Sequence, residues 1–170
     1  MNRGYLGIDN GVTGSLAYDG PVVLFAKTPV HKEQSYTKKK QQITRIDFDS
    51  LVELLRNWGM DWRNGEGDML TRVFIERPFV NPKGFRATAS ALRCLEATLI
   101  AVESEGLSYQ YIDSREWQKA MLPSGIKGPE LKYASVDIGC RLFPQFVEEI
   151  RKHKDADSLL IAEYARRNQL

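Results

Sequence analysis

Short apolar runs that end on acids or turns set the pattern of the amino-terminal third of the chain. YLGID (5–9) and SLAYD (15–19) are separated by the turn-forming NGVTG, and PVVLFAK (21–27) follows the turn Asp19–Gly20. This predicts a three-stranded antiparallel meander. VHKEQSYTKKKQQITR (30–45) is polar, basic and without periodicity, which predicts a loop or mobile insertion. In DFDSLVELLRNW (47–58), Leu51, Leu54 and Leu55 recur at helical spacing, with Asp47 or Asp49 as N-cap. LTRVFIE (70–76) reads as a buried strand ending at Glu76, and RPFVNPKG is broken by Pro78, Pro82 and Gly84. A long helix is predicted from about 86 to 104, with Leu92, Leu95, Leu99 and Val102 as one stripe and five alanines keeping it slim. LSYQYID (107–113) is a further strand, and SREWQKAML a short helix capped by Ser114. A helix follows with Pro129 in its first turn and Pro144 as its stop. The last helix, about 155–167, places Leu160, Ile161 and Tyr164 inward. The order predicts an α/β fold, a mixed sheet with helices on its faces.

At 170 residues the chain is expected to form one domain, and its composition (42% hydrophobic, 27% charged) is ordinarily globular. No apolar window is long enough for a membrane span, and the polar start is unlike a signal peptide. Cys94 and Cys140 stand alone, which argues for buried thiols in a reducing cytoplasm rather than a disulfide framework or zinc site. The net charge of +2 says little, but its distribution says more. Residues 27–45 hold six Lys/Arg against one acid, 77–93 hold four against none, and 47–68 hold six acids against two arginines. Such segregation suits a protein that meets a polyanion on one side, although any single run is more often a solvated face.

Asp9 ends an apolar run and is followed by GVTG after Asn10, a placement that serves two chemistries. It can position the phosphates and magnesium of a nucleotide in an actin- or sugar-kinase-like ATPase, or ligate catalytic ions in a nuclease. The ATPase reading requires a second subdomain with its own phosphate loop, for which the chain has neither the motif nor the length. Glu76 also falls at a strand end, and either acid alone reads as a turn cap. Asp157 changes the balance, because it lies three, four and seven residues before Leu160, Ile161 and Tyr164 and shares their stripe. An acid on a buried stripe is costly unless paired or bound to a metal. Three such acids suit a hard, oxygen-ligated cation and could support two-metal hydrolysis.

With these motifs in order, the chain resembles the RuvC-type Holliday-junction resolvases of the RNase H-like superfamily, especially divergent phage and phage-like members. GIDNGVTGSLA resembles the family's first-strand motif and VFIERPF the strand with its catalytic glutamate. WQKAML, LKYASVDIGCRLFP and KHKDADSLLIAEYARR resemble its later helices, the last of them acid-bearing. The resemblance implies an RNase H-like mixed sheet, three antiparallel strands then parallel strands, with helices on both faces. It implies Asp9, Glu76 and Asp157 as ligands of two Mg²⁺ or Mn²⁺ ions. The family usually carries its fourth ligand three residues before the last acid, where this chain has Lys154. A helix that starts near Asp155 lets it reach inward, and one that extends backwards turns His153 to the Asp157 face; Asp155 is favoured, with His153 close behind, because a carboxylate is the better hard-ion ligand. Phe79 is implied either to stack on a base at the branch point or, as a plain loop residue, to pack beneath Pro78 and Pro82. Lys119 and Lys132 are implied beside the scissile phosphate, Lys132 with a catalytic role. Lys83, Arg86 and the cluster Lys38, Lys39 and Lys40 look like DNA-backbone contacts. The implied activity is endonucleolytic resolution of four-way DNA junctions by a homodimer, in the cytoplasm of a bacterium or phage-infected cell. The helix at 86–104 offers Leu92, Leu95 and Leu99 to the core or to a partner. A nuclease of the same fold acting on flaps, forks or RNA–DNA hybrids, and a non-catalytic binder of branched DNA, are the alternatives.

Overall fold

The computed structural model describes residues 3–38, 40–63 and 71–170. The chain runs β1 (Gly4–Asp9), β2 (Ser15–Asp19), β3 (Val23–Lys27), β4 (Val30–Gln34), β5 (Gln42–Ile46), α1 (Phe48–Arg63) and β6 (Thr71–Glu76). It continues through α2 (Phe85–Ser104), β7 (Tyr109–Ile112), α3 (Ser114–Met121), α4 (Pro129–Leu142), a 3₁₀ turn at Pro144–Phe146, α5 (Val147–His153) and α6 (Asp157–Arg167). Five strands form a mixed sheet in the order β3-β2-β1-β6-β7. β1, β2 and β3 pair antiparallel, whereas β6 pairs parallel with both β1 and β7. This is the expected sheet, with helices on both of its faces. No helix among the described residues is long and apolar enough to cross a membrane.

Strand alternation decides which core each side chain enters. Leu6, Ile8, Val73 and Ile75 pack with Leu51, Leu55, Cys94 and Val102 beneath α1 and α2. Tyr5 and Phe74 enter the opposite core with Trp117, Leu160 and Ile161, beneath α3, α4 and α6. In the β1–β6 register Gly7 faces Phe74 and Ile8 faces Ile75, so Asp9 and Glu76 come next, side by side at the strand ends. Period two continues the Tyr5–Gly7 row into Asp9 and the Phe74 row into Glu76. Both acids therefore emerge on the face covered by α6.

α6 is not amphipathic in the expected sense. Eight consecutive residues, Ser158–Ala165, are buried, because α6 lies on β1 and β2 while α3 and α4 cover its outer side. Glycines permit both close approaches. A Cβ at Gly7 would collide with the Ser158 carbonyl oxygen and stand 2.7 Å from the Ala162 nitrogen, and one at Gly139 of α4 would collide with the Ala156 side chain.

Several expectations need correction. Residues 30–45 are not a loop but largely the β4–β5 hairpin, a two-stranded sheet of its own. Its strands are polar because most of its side chains face solvent, and Arg45 crosses to Glu33 at 2.8 Å. Asp47, rather than Asp49, caps α1, accepting the Ser50 N–H at 3.2 Å. Asp113, not Ser114, caps α3, its carboxylate accepting the Arg115 N–H at 2.8 Å. The Leu92–Val102 stripe splits. The fully buried row of α2 is Cys94, Thr98, Ala101 and Val102, while Leu95 and Leu99 are half-buried and Leu92 is 44% exposed. α5 had no counterpart in the sequence pattern. It ends at Lys154, whose left-handed backbone (φ 53°) turns the chain into α6, so α6 starts at Asp157 rather than near 155.

Candidate metal centre

The β1 strand end and the α5–α6 turn bring three carboxylates together. One oxygen each of Asp9, Asp155 and Asp157 lies within 4.8 Å of the others. The turn matters because it separates the two later acids. Asp157 opens α6, whereas Asp155 precedes the helix, is 1% exposed and accepts the Asp157 N–H at 3.2 Å. Glu76 stands beside them, sharing a hydrogen bond with Asp9. Its Oε1 accepts the Trp117 indole N–H at 2.9 Å.

Lys132, from the first turns of α4, donates to Asp155 Oδ1 and Asp157 Oδ2, both at 2.9 Å. Ser135, one helical turn later on α4, donates a short hydrogen bond to the other oxygen of Asp157. Lys27 approaches Asp155 Oδ2 at 3.5 Å and donates to the Thr13 carbonyl. Beneath the acids Ser15 and Ser158 share a hydrogen bond of 2.7 Å that ties β2 to α6.

The electrostatics separate the acids. Burial, then Asp155, Asp157 and Glu76, push the Asp9 carboxyl well above the usual range, against a smaller pull from Lys132. Burial raises Glu76 as well, opposed by the Trp117 hydrogen bond and reinforced by Asp157. For Asp155 burial is outweighed, chiefly by Lys132, and its pKa falls below the ordinary value. Burial also opposes the charge on Lys132, but Asp157 and Asp155 outweigh it and hold its pKa above that of a free lysine. Burial is the largest cause of the Asp9 shift and the charges of Asp155, Asp157 and Glu76 add to it; a bound divalent cation would offset both.

The donor set fits such an ion. Oxygens about 2.1 Å from Mg²⁺ stand about 3 Å apart side by side and about 4 Å apart across the ion. Oxygens that all lie within 4.8 Å of one another need only small side-chain adjustments to meet those separations. All the ligand atoms are carboxylate oxygens, the hard donors that Mg²⁺ and Mn²⁺ prefer.

The remaining sequence candidates lie outside the three-acid group. His153 ends α5 outside the three-acid group, with a pKa lowered by burial and by Lys27 and Lys152. Of the two candidates for the fourth position, Asp155 is the one brought to Asp9 and Asp157. Phe79 is 81% exposed, so it is not packed beneath Pro78 and Pro82. Lys119 is exposed on α3 beside Arg115 and Gln118. Lys83 is exposed in the loop before α2, and Arg86 lies in the first turn of that helix. Lys38 and Lys40 are exposed near the hairpin tip, and Lys39 lies outside the described residues. Sequence reasoning missed Trp117, Ser135, Ser15 and Lys27. Only Ser135 had a legible signal, its three-residue spacing from Lys132 in a predicted helix.

A sheet of this order with an acid cluster at the ends of its central strands defines an RNase H-like α/β fold. The chain superposes on Thermus thermophilus RuvC in complex with a Holliday junction substrate with a TM-score of 0.55, covering 98% of this chain and 96% of that one at 15% identity. A second Thermus thermophilus RuvC structure gives a TM-score of 0.50 with the same coverage and identity. No protein-family model and no curated protein matches the sequence.

Proposed function

We propose that this chain is a single-domain, metal-dependent, structure-selective endonuclease that resolves four-way DNA junctions, a divergent relative of the RuvC type. The observation that carries the reading is the convergence of Asp9, Asp155 and Asp157, the last two bridged by Lys132, in a fold like that of RuvC. Asp9, Glu76, Asp155 and Asp157 would hold two Mg²⁺ or Mn²⁺ ions. When bound, such ions supply Lewis-acid activation of water and stabilise the leaving oxygen. Ser135 and Lys132 each hold one oxygen of Asp157, and Trp117 holds one oxygen of Glu76, which fixes the orientation of both carboxylates. Lys132 bridges the acids at the mouth of the site and is placed to turn its ammonium to a phosphate oxygen, where it offsets developing negative charge. The exposed Phe79 ring is available to a base at the branch point. Lys38, Lys39, Lys40, Lys83, Arg86 and Lys119 would hold the phosphate backbone without reading sequence.

One acid cluster makes one cut, and a four-way junction needs two cuts related by its approximate two-fold axis. A homodimer supplies them with matching symmetry. Leu92 and Ile100, 44% and 48% exposed on α2, are candidate contacts for the second copy.

The test is cleavage of labelled four-way, three-way, flap and linear substrates in Mg²⁺, with sedimentation equilibrium with and without junction DNA. Paired symmetric cuts confined to the four-way substrate are expected, made by a dimer. Preferential cutting of flaps would transfer the activity to another branched substrate, and binding without any cut would remove catalysis. Binding should weaken steeply with salt, at about 0.9 log units of affinity per log unit of salt for each phosphate contacted. Reversing Lys38, Lys39 and Lys40 together should take about 2–3 from that slope and leave the cut position unchanged. A wild-type titration that is flat in salt would show the basic runs to be solvated surface.

A further inference from the structure

Between the β4–β5 hairpin and the amino-terminal half of α2 runs a groove of about 540 Å³ that the acid cluster does not use. Val12, three residues beyond Asp9, lines one side, so the groove opens beside the loop that carries the first acid. Its apolar lining includes Ile43 and Ala89. Tyr36 from the hairpin tip and Phe85 from the first turn of α2 also line it, and they are 79% and 76% exposed. Two large aromatic rings held this far into water beside one cleft are costly, unless a flat apolar partner covers them.

Charge identifies that partner. Lys38, Arg86 and Arg93 line the groove, and no acid does. Among the described residues none of the three has a carboxylate within 4.0 Å. Free cations along an apolar cleft with an aromatic from each wall match a ligand that alternates phosphates with flat rings. A single nucleic-acid strand has that chemistry, whereas a duplex keeps its base faces stacked inside.

We propose that this groove binds an unpaired DNA strand, with its bases stacked on Tyr36 and Phe85 and its phosphates held by Lys38, Arg86 and Arg93. The inference deepens the proposed function: the chain engages an opened strand of its branched substrate and leads it past Val12 towards Asp9. Selectivity for branches then has a local source, because only DNA with unpaired nucleotides near the cut fills the groove.

The test is fluorescence anisotropy of labelled oligothymidylate, about ten nucleotides long, with a blunt duplex for comparison. Both are titrated with the full chain in EDTA so that nothing is cut. Wild type should bind the single strand, and Tyr36→Ala or Phe85→Ala should each weaken that binding about 5- to 150-fold, the range of one lost base–aromatic stack. The duplex should be nearly unaffected. Tyr36→Phe, which keeps the ring, should bind like wild type, as should Arg141→Gln, outside the groove. Both aromatics are surface residues, and thermal melting of each variant confirms that the fold persists. No single-strand binding by wild type, unchanged binding by both alanine variants, or equal losses on duplex and single strand would each overturn the proposal. Cleavage of the four-way substrate, assayed separately in Mg²⁺, keeps the two readings apart. A wild type that cuts nothing yet shows these losses leaves the groove standing and removes the nuclease. One that cuts junctions while Tyr36→Ala and Phe85→Ala bind normally does the reverse.

Discussion

Asp9→Asn should abolish DNA cleavage while making the metal-free protein more stable at neutral and higher pH. The two effects share one cause. Asp9 lies where three other acids face it, and burial together with their charge pushes its carboxyl well above the usual range. A carboxyl whose folded pKa exceeds its unfolded value favours folding while protonated, and that contribution is lost as pH rises from about 4 through the folded pKa. Asparagine does not ionise, so the variant should keep its stability across that window while the wild type declines. Added Mg²⁺ should restore the wild type, because the ion repays the repulsion, and should do much less for the variant. Cleavage should fall about a thousand-fold or more, since losing a ligand forfeits several kcal/mol of charge stabilisation in the transition state. Melting curves from pH 4 to 8 with EDTA or Mg²⁺, read beside junction cleavage and binding, check all of this. A variant that cuts normally, or gains as much from Mg²⁺ as the wild type, would remove Asp9 from the centre. Glu76→Gln, Asp157→Asn and Asp155→Asn should lose activity as well, and His153→Ala should keep it.

Gly7→Ala is the second change with a large expected effect, though it touches no charge. Gly7 sits mid-strand, and its missing side chain lets α6 rest on the β1 backbone. A methyl group there would meet the Ser158 carbonyl and the Ala162 nitrogen, both backbone atoms that no rotamer change can move. Either α6 shifts or the sheet bends, at a cost on the order of 3 kcal/mol. For a chain of this size that lowers the melting temperature by about 6–12 °C. The shift would also carry Asp157 and Ser158 away from Asp9 and Ser15. Mg²⁺-dependent stabilisation should therefore be lost even in samples that remain folded, whereas a core truncation of equal cost, such as Leu55→Ala under α1, should keep it. Full metal response in Gly7→Ala would show that the site tolerates movement of α6.

How much of this was legible in the sequence differs from element to element. β1, β6 and the first three strands announced themselves through short apolar runs bounded by turn residues, because both of their faces are covered. The acids at 9, 76 and 157 were legible for the same reason: each interrupts or begins a stripe that is otherwise apolar. The β4–β5 hairpin was not, since a ribbon standing mostly in water has polar side chains on both faces and no alternation to read. The Leu92 stripe misled because helical spacing identifies a face without saying which neighbour covers it. In α2 the deepest row is mostly small, Cys94, Thr98 and Ala101 with Val102. The choice between Asp155 and His153 turned on where one helix stops and the next begins. That was set by a left-handed Lys154, a residue type with no preference for that conformation.

The indole of Trp117 has a use unrelated to its packing. It is fully buried, and its N–H points at a carboxylate oxygen of the acid cluster 2.9 Å away. An excited indole has a large dipole, so its emission energy depends on the charge in front of its nitrogen. Of the other two tryptophans, Trp58 packs in the core beneath α1 and α2 on the opposite face of the sheet, and Trp62 follows it in α1. With those two replaced by phenylalanine, the chain carries a single tryptophan, its indole hydrogen-bonded to Glu76. Ion occupancy then becomes a wavelength that can be followed in real time, in a cuvette that contains no DNA at all.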